Sequence, residues 1–273
     1  TLFPFNYQEL SSVNKYKQRV NTAEKAFLFS CLRGEFPELA TRRDLNAREW
    51  YAGYLQTYLE RDVRGLHNIG SLREFQRFLQ LLAGRCSQEL NLSYFAQELG
   101  TAVNTIKNWI SVLAASQIIF FLSPYSRNLG KRVVKNPKIY FIDCGLICHL
   151  TGIFNREHII SGPMSGPLFE NYVISETYKI LRAKGESPAL YYFRTHKGLE
   201  VDLIIEEGLK LYPAEIKLTK TPRREMILPM EKLKAMLGRS AVAKGRLICM
   251  AEDGIPFTKD ISVQSAVDYF TGI

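Results

Sequence analysis

Two short apolar runs carry ionisable residues spaced for joint chemistry. In Pro213-Ala-Glu-Ile-Lys-Leu218 the side chains of an extended strand alternate, so Glu215 and Lys217 project together while Ala214, Ile216 and Leu218 turn away. In the preceding run Glu200, Asp202 and Ile204 share one face, with Val201, Leu203 and Ile205 on the other. The connection through Glu206-Glu207-Gly208 is short enough for a hairpin, which places Asp202 and Glu215 on neighbouring strands. Two carboxylates that close among apolar residues repel each other and hold a proton unless a cation lies between them. A hard divalent ion, Mg2+ or Mn2+, takes oxygen ligands, keeps its waters and resolves the conflict. Lys217 could then stabilise charge developing on a scissile phosphate or orient the attacking water, which the metal would acidify. Phosphodiester hydrolysis is the reaction this set suits. A lone Glu-x-Lys arises by chance as a surface charge pattern. Here an upstream helix bears Glu170, an apolar strand bears Asp202, and Glu215-x-Lys217 follows in the next apolar strand.

The elements that position these residues follow from periodicity. A helix is expected over 168–183, strands over 190–194, 199–205 and 211–218, a helix over 225–237, a strand over 246–250 and a closing helix over 263–270. That order is α-β-β-β-α-β-α, a mixed sheet with flanking helices. Gly152, Gly162, Pro163, Gly166 and Pro167 mark a linker, so the main boundary is expected between Thr151 and Ser165.

Upstream of it, residues 7–66 read as a small helical unit, with Trp50, Tyr51, Tyr54, Leu55, Tyr58 and Leu59 at helical spacing that marks core. A second amphipathic helix runs from Ser71 to Cys86. A short helix from Leu92 to Leu99, a turn at Gly100-Thr101 and a longer helix from Val103 to Ser116 then give helix-turn-helix order. Two strand-like runs, Ile118 to Leu122 and Lys138 to Ile142, flank a basic loop. Three helices and a hairpin constitute a winged helix. Its second helix would offer Asn104 and Lys107 to a major groove, and Arg127, Lys131, Arg132 and Lys135 on the wing would meet phosphates. Winged helices also dock proteins, so DNA contact competes with that role. The expected fold is thus an α+β or α/β multidomain chain: a helical unit over 1–66, a winged helix over 67–150 and a mixed sheet over 160–273.

At 273 residues, 46% apolar and 23% charged, the chain has ordinary globular composition, which excludes disordered, collagenous and disulfide-scaffold classes. A net charge of +9 favours polyanionic partners, DNA above all. Five cysteines in apolar surroundings suit a reducing compartment and a cytoplasmic location. Cys144, Cys148 and His149 lack a second ligand pair at finger-like spacing, so core thiols and no zinc are expected. The longest apolar run, Ile118 to Leu122, is far shorter than a membrane span. The first residue is Thr1, and an upstream segment is expected.

Glu170, Asp202 and Glu215-Ile-Lys217, in that element order, resemble the PD-(D/E)XK nuclease superfamily. The resemblance implies a restriction-endonuclease-like fold, metal ligation by Asp202 and Glu215, a catalytic Lys217 and an auxiliary catalytic acid at Glu170. Val201 stands where the superfamily's name has proline. Nearly the whole chain, through Arg33-Gly-Glu-Phe-Pro-Glu38, Tyr58-Leu-Glu-Arg-Asp62, Lys138-Ile-Tyr-Phe-Ile-Asp143 with Gly145, and Phe169-Glu170, is similar to the C-terminal part of prokaryotic AAA-type ATPases that end in a domain of unknown function with this fold. Members carry ATP in an N-terminal P-loop core; Gly-x-x-x-x-Gly-Lys-Ser/Thr does not occur in these residues, so ATP belongs to the part that precedes them. The leading expectation is a DNA-directed, metal-dependent nuclease region of an ATPase. The alternatives are a binding and regulatory platform without turnover, and a winged-helix transcription regulator.

Overall fold

A computed structural model describes residues 3–59, 72–126, 136–251 and 257–273, except the side chains of 14 and 15. Side-chain caps set out the helical half. Asn6 and Glu9 form a capping box at α1 (Tyr7–Ser12), and α2 (Asn14–Lys17) follows. Thr22 caps α3 (Ala23–Leu32), Pro37 opens α4 (Pro37–Thr41) and Asn46 caps α5 (Ala47–Thr57). The stripe Phe75, Phe78, Leu79 and Leu82 buries one side of α6 (Leu72–Ala83). Asn91 caps α7 (Leu92–Leu99), which ends at Gly100; its φ of +62° turns the chain tightly into α8 (Val103–Ala115).

The fold is mixed α/β around one seven-stranded sheet of order β2-β1-β3-β4-β5-β6-β7. Its strands are β1 (Ile119–Pro124), β2 (Lys138–Phe141), β3 (Leu190–Arg194), β4 (Glu200–Glu207), β5 (Lys210–Ile216), β6 (Gly245–Cys249) and β7 (Ile261–Ser265). Between β2 and β3 lie α9 (Cys144–Thr151), α10 (Arg156–Ser161) and the long α11 (Ser165–Ala183). After β5, a 3-10 turn (Arg224–Ile227) leads into α12 (Leu228–Leu237), and α13 (Ala266–Gly272) closes the chain. One core, containing Phe27, Tyr172, Leu203, Ile205, Ala214 and Ile216, lies between the helical half and the sheet. A smaller one, with Val201, Ile204, Ile227, Met230, Leu233 and Leu247, lies under α12.

Three expectations need revision. The glycine-rich stretch between Thr151 and Ser165 is no open linker: α10 occupies it, and Gly152 and Gly162 are helix caps, Gly152 left-handed with a φ of +72°. Sheet and core run across it, since β1 pairs in parallel with β3 through Ser123–Tyr191 and Pro124–Tyr192. The β1–β2 hairpin is therefore the first part of the large sheet, with every residue of β2 buried. The expected helix over 263–270 starts at Ala266. Val263 belongs to β7, where the alternately buried Ile261, Val263 and Ser265 pair with β6. That stretch is too short for periodicity alone to separate strand from helix.

Candidate active site

The β4–β5 hairpin expected from the sequence is present, with Leu203 opposite Ala214 and Ile204 opposite Pro213. Continued by one position, that register faces Asp202 toward Glu215. The regular ladder gives way there: the Ile216 N–H donates to Asp202 Oδ2 at 2.9 Å, a side chain taking the place of a strand carbonyl. The opposite edge of β4 is also irregular, its register with β3 shifting between Tyr191–Ile204 and Phe193–Val201. This bulge breaks simple alternation. Val201 and Ile204, three residues apart, enter the same core and Leu203 the other, which strict period two forbids.

The structure brings Asp202, Glu215 and Lys217 together. Lys217 Nζ lies 2.7 Å from Asp202 Oδ2 and 2.7 Å from Glu215 Oε2. Glu215 is 2% and Asp202 7% exposed, and Glu215 Oε1 is buried with no hydrogen-bond partner. Burial, then the Asp202 charge, pushes the Glu215 carboxyl well above its ordinary range, although Lys217 opposes the shift. Burial acts on Asp202 in the same direction, but Lys217, Lys138 and the Ile216 N–H outweigh it and hold this carboxyl below its usual range. Burial would lower the Lys217 ammonium, yet Asp202 and Glu215 carry it upward, so the lysine is charged.

Glu170 occupies the adjacent stretch of the cleft, on α11. Its Oε1 accepts from Lys138 Nζ at 3.0 Å and from the Tyr140 hydroxyl at 2.7 Å. Lys138 Nζ also lies 2.5 Å from Glu200 Oε1. Burial, then the Asp202 charge, pushes Glu170 up to about 7 against the pull of Lys138. Glu200 lines both parts of the cleft. One part, about 1120 Å³, holds Asp202, Glu215, Lys217, the exposed His196 and Lys232; the other, about 510 Å³, holds Lys138, Glu170, Arg85, Tyr94 and Arg194.

Lys138, Tyr140 and Glu200 are partners that motif reading passes over. A signal exists: Lys138 and Tyr140 are two apart in an otherwise apolar strand and share a face, as Glu215 and Lys217 do. Asn171 of α11 fixes that strand by pairing with both backbone groups of Phe141, accepting from its N–H at 2.8 Å and donating to its carbonyl at 3.0 Å.

Asn104 and Lys107 stand exposed on α8. The residues of the helical half that line the cleft come instead from the turn before α7 and from α7 itself, among them Arg85 and Tyr94. Arg127, Lys131, Arg132 and Lys135 lie outside the described residues. The five cysteines are buried and unpaired. Among the described residues no three acidic, histidine or cysteine side chains are disposed as a ready metal cluster, and no helix is long and apolar enough to cross a membrane.

Residues 24–157 match a family model described as "Domain of unknown function (DUF8612)" and residues 165–269 one described as "Domain of unknown function (DUF4143)". The latter domain stands C-terminal to AAA ATPase domains in some proteins. An uncharacterized protein of Mycobacterium tuberculosis is 32% identical over 192 residues, covering 70% of this chain and 43% of the relative. A second, of Mycobacterium bovis, gives the same figures. An uncharacterized protein of Methanocaldococcus jannaschii is 25% identical over 189 residues, 67% of this chain and 38% of the relative. The chain thus spans less than half the length of these curated relatives. No solved structure matches it.

Proposed function

We propose that the chain is the DNA-directed region of an AAA-type ATPase and carries a metal-dependent deoxyribonuclease site of PD-(D/E)XK type. The observation that supports this most is the convergence of Asp202 and Glu215 on Lys217, with the buried Glu215 Oε1 left without a partner. A buried carboxylate oxygen facing no donor is a costly arrangement that a cation relieves. The donor set is all oxygen, which suits Mg2+ or Mn2+. Asp202 and Glu215 would hold the ion, and what it supplies is charge neutralisation and a more acidic attacking water.

Lys217 does the remaining work. Its side chain is 37% exposed, so its ammonium reaches both the carboxylates and the open cleft. There it can hold a phosphate oxygen and stabilise the charge that grows on it. Glu170, held near neutrality at about 7, can exchange a proton with the departing or attacking oxygen. Asn104 and Lys107, with Arg127, Lys131 and Arg132 on the expected wing, would contact the DNA backbone and grooves.

The test is cleavage of supercoiled plasmid by the 273-residue chain with Mg2+ or Mn2+. Nicking by the wild type, lost in Glu215→Ala and in Lys217→Ala, is expected. A wild type no more active than these variants overturns the reading.

One observation favours a second reading, a regulatory platform without turnover: Lys217 already bridges the two acids that would take the metal. A platform needs no ion, so calorimetric titration with Mn2+ that gives no heat dependent on Glu215 would favour it.

A further inference from the structure

The cleft holds two carboxylate pairs, each bridged by a lysine, and the two lysines differ in kind. Lys217 has a side chain 37% exposed, and one carboxylate it touches keeps a buried oxygen without a partner. Lys138 has a side chain 6% exposed, rooted in a strand buried along its length. Its ammonium lies between Glu170 Oε1 at 3.0 Å and Glu200 Oε1 at 2.5 Å, and 5.5 Å from the centre of the Tyr192 ring. Tyr140 completes the set by donating to the same Glu170 oxygen. Lys217 borders open solvent and has room to swing aside; Lys138, buried on every side, has none.

Burying an ammonium is expensive unless carboxylates compensate it. With all groups ionised, Glu170, Glu200, Asp202 and Glu215 contribute −4 and Lys138 and Lys217 contribute +2, while Arg194, 3.7 Å from Glu200, is offset by its own partner Glu89; the net −2 is what a single divalent cation balances. We propose that Lys138 is a built-in substitute for a second metal ion: its ammonium fills the place between Glu170 and Glu200, so the cleft takes up one divalent cation instead of two. The inference rests on the metal-site reading above. It also makes the site composite, because Lys138 lies within residues 24–157 while Glu170, Asp202, Glu215 and Lys217 lie within 165–269.

The experiment is titration of the full chain with Mn2+ alone, followed by calorimetry and by the loss of free-Mn2+ paramagnetic resonance signal. Wild type is expected to bind one ion, Lys138→Met two, and Lys138→Met with Glu200→Gln one again. Lys138→Arg, which keeps the charge, stays at one. Identical stoichiometry and affinity in wild type and Lys138→Met overturn the proposal, as does a wild type that binds two. A wild type binding none while Lys138→Met binds one removes the Asp202–Glu215 site and keeps the role of Lys138; none in both removes both. A purely structural lysine gives the opposite sign, its loss weakening ion uptake instead of adding to it. Should Lys138→Met not fold, Lys138→Gln is read by the same criteria.

Discussion

The Lys138 ammonium of β2 and the Glu170 carboxylate of α11 meet at 3.0 Å beneath a cleft whose other wall is the β4–β5 hairpin. Through this pair the residues before α9 and those after α10 share one electrostatic unit, and the long strand-to-helix connection is fixed at its two ends. Lys138 keeps Glu200 when Glu170 is changed, so Glu170→Gln strands no unpaired lysine. Its cost is the weakening of the two charge-assisted hydrogen bonds that Glu170 Oε1 accepts, from Lys138 and from the Tyr140 hydroxyl, about 1–3 kcal/mol in all. Urea unfolding of the metal-free chain should show that loss as a lower midpoint with unchanged slope.

Glycine at 145 has a specific packing reason. A Cβ there would meet the Tyr51 hydroxyl at 2.3 Å and the Gly34 Cα at 2.8 Å, and the second of these is backbone. That hydroxyl donates to Asp143 Oδ1 at 2.5 Å, and Asp143 in turn accepts from the Glu35 and Leu146 N–H groups. Gly145→Ala therefore pushes Tyr51 off Asp143 and uncouples the α3–α4 turn from the start of α9. We expect about 1–3 kcal/mol of destabilisation, read as a fall in Tm of about 2–4 °C per kcal/mol. A variant melting with the wild type would show that the contact relaxes freely.

The acids and lysine of the hairpin are legible in the sequence because strand alternation and a tight turn act over a few residues. What escapes local reading is long-range. Lys138 gains meaning only from a partner 32 residues on, and from Glu200 further still. The bulge in β4 is invisible to a period-two reading, which puts Val201 and Ile204 on opposite faces where the fold buries them in one core. Gly152 reads as linker because a left-handed helix cap and a loop use glycine for the same backbone freedom, and Gly162 because the close approach of the His158 carbonyl oxygen, 2.3 Å from where a Cβ would stand, leaves no local trace in the sequence. Only the pairing of β1 with β3 shows that the sheet continues past them.

Stability should depend on pH through a group far from the cleft. Glu35, 2% exposed, forms an ion pair with Lys179, which also lies 2.5 Å from Glu176. Burial, then the Glu176 charge, pushes Glu35 up to about 8 in spite of Lys179. Because the folded value lies above that of the unfolded chain, about 4.3, this contribution is complete below that pH. It disappears as pH rises through about 8. Asp143, raised to about 6 by burial and then by Glu35, adds a loss in the lower part of the same window. Tm of the wild type should fall between pH 5 and pH 8, and Glu35→Gln, which leaves Lys179 paired one-to-one with Glu176, should flatten the slope. A variant with the wild-type slope would assign the dependence elsewhere.

The last prediction separates stability from ion binding at Glu215. In the metal-free protein this carboxyl is 2% exposed, one oxygen has no donor, and burial with the Asp202 charge raises it well above its ordinary range. Replacing it by the neutral amide removes a buried like-charge contact while keeping the shape, so Glu215→Gln in the presence of a chelator should melt at or above the wild-type temperature. With Mn2+ in excess the order should reverse. Binding to the folded state alone stabilises by about 2.7 kcal/mol at a hundred times Kd, a rise in Tm of roughly 5–10 °C for a chain of this size, and only the wild type retains the carboxylate that would hold the ion. Parallel melting curves with chelator and with Mn2+ measure both halves. Equal Mn2+ shifts in the two proteins would place ion uptake away from Glu215, and a strongly destabilised variant in chelator would mean that Glu215 serves the fold before it serves any ion.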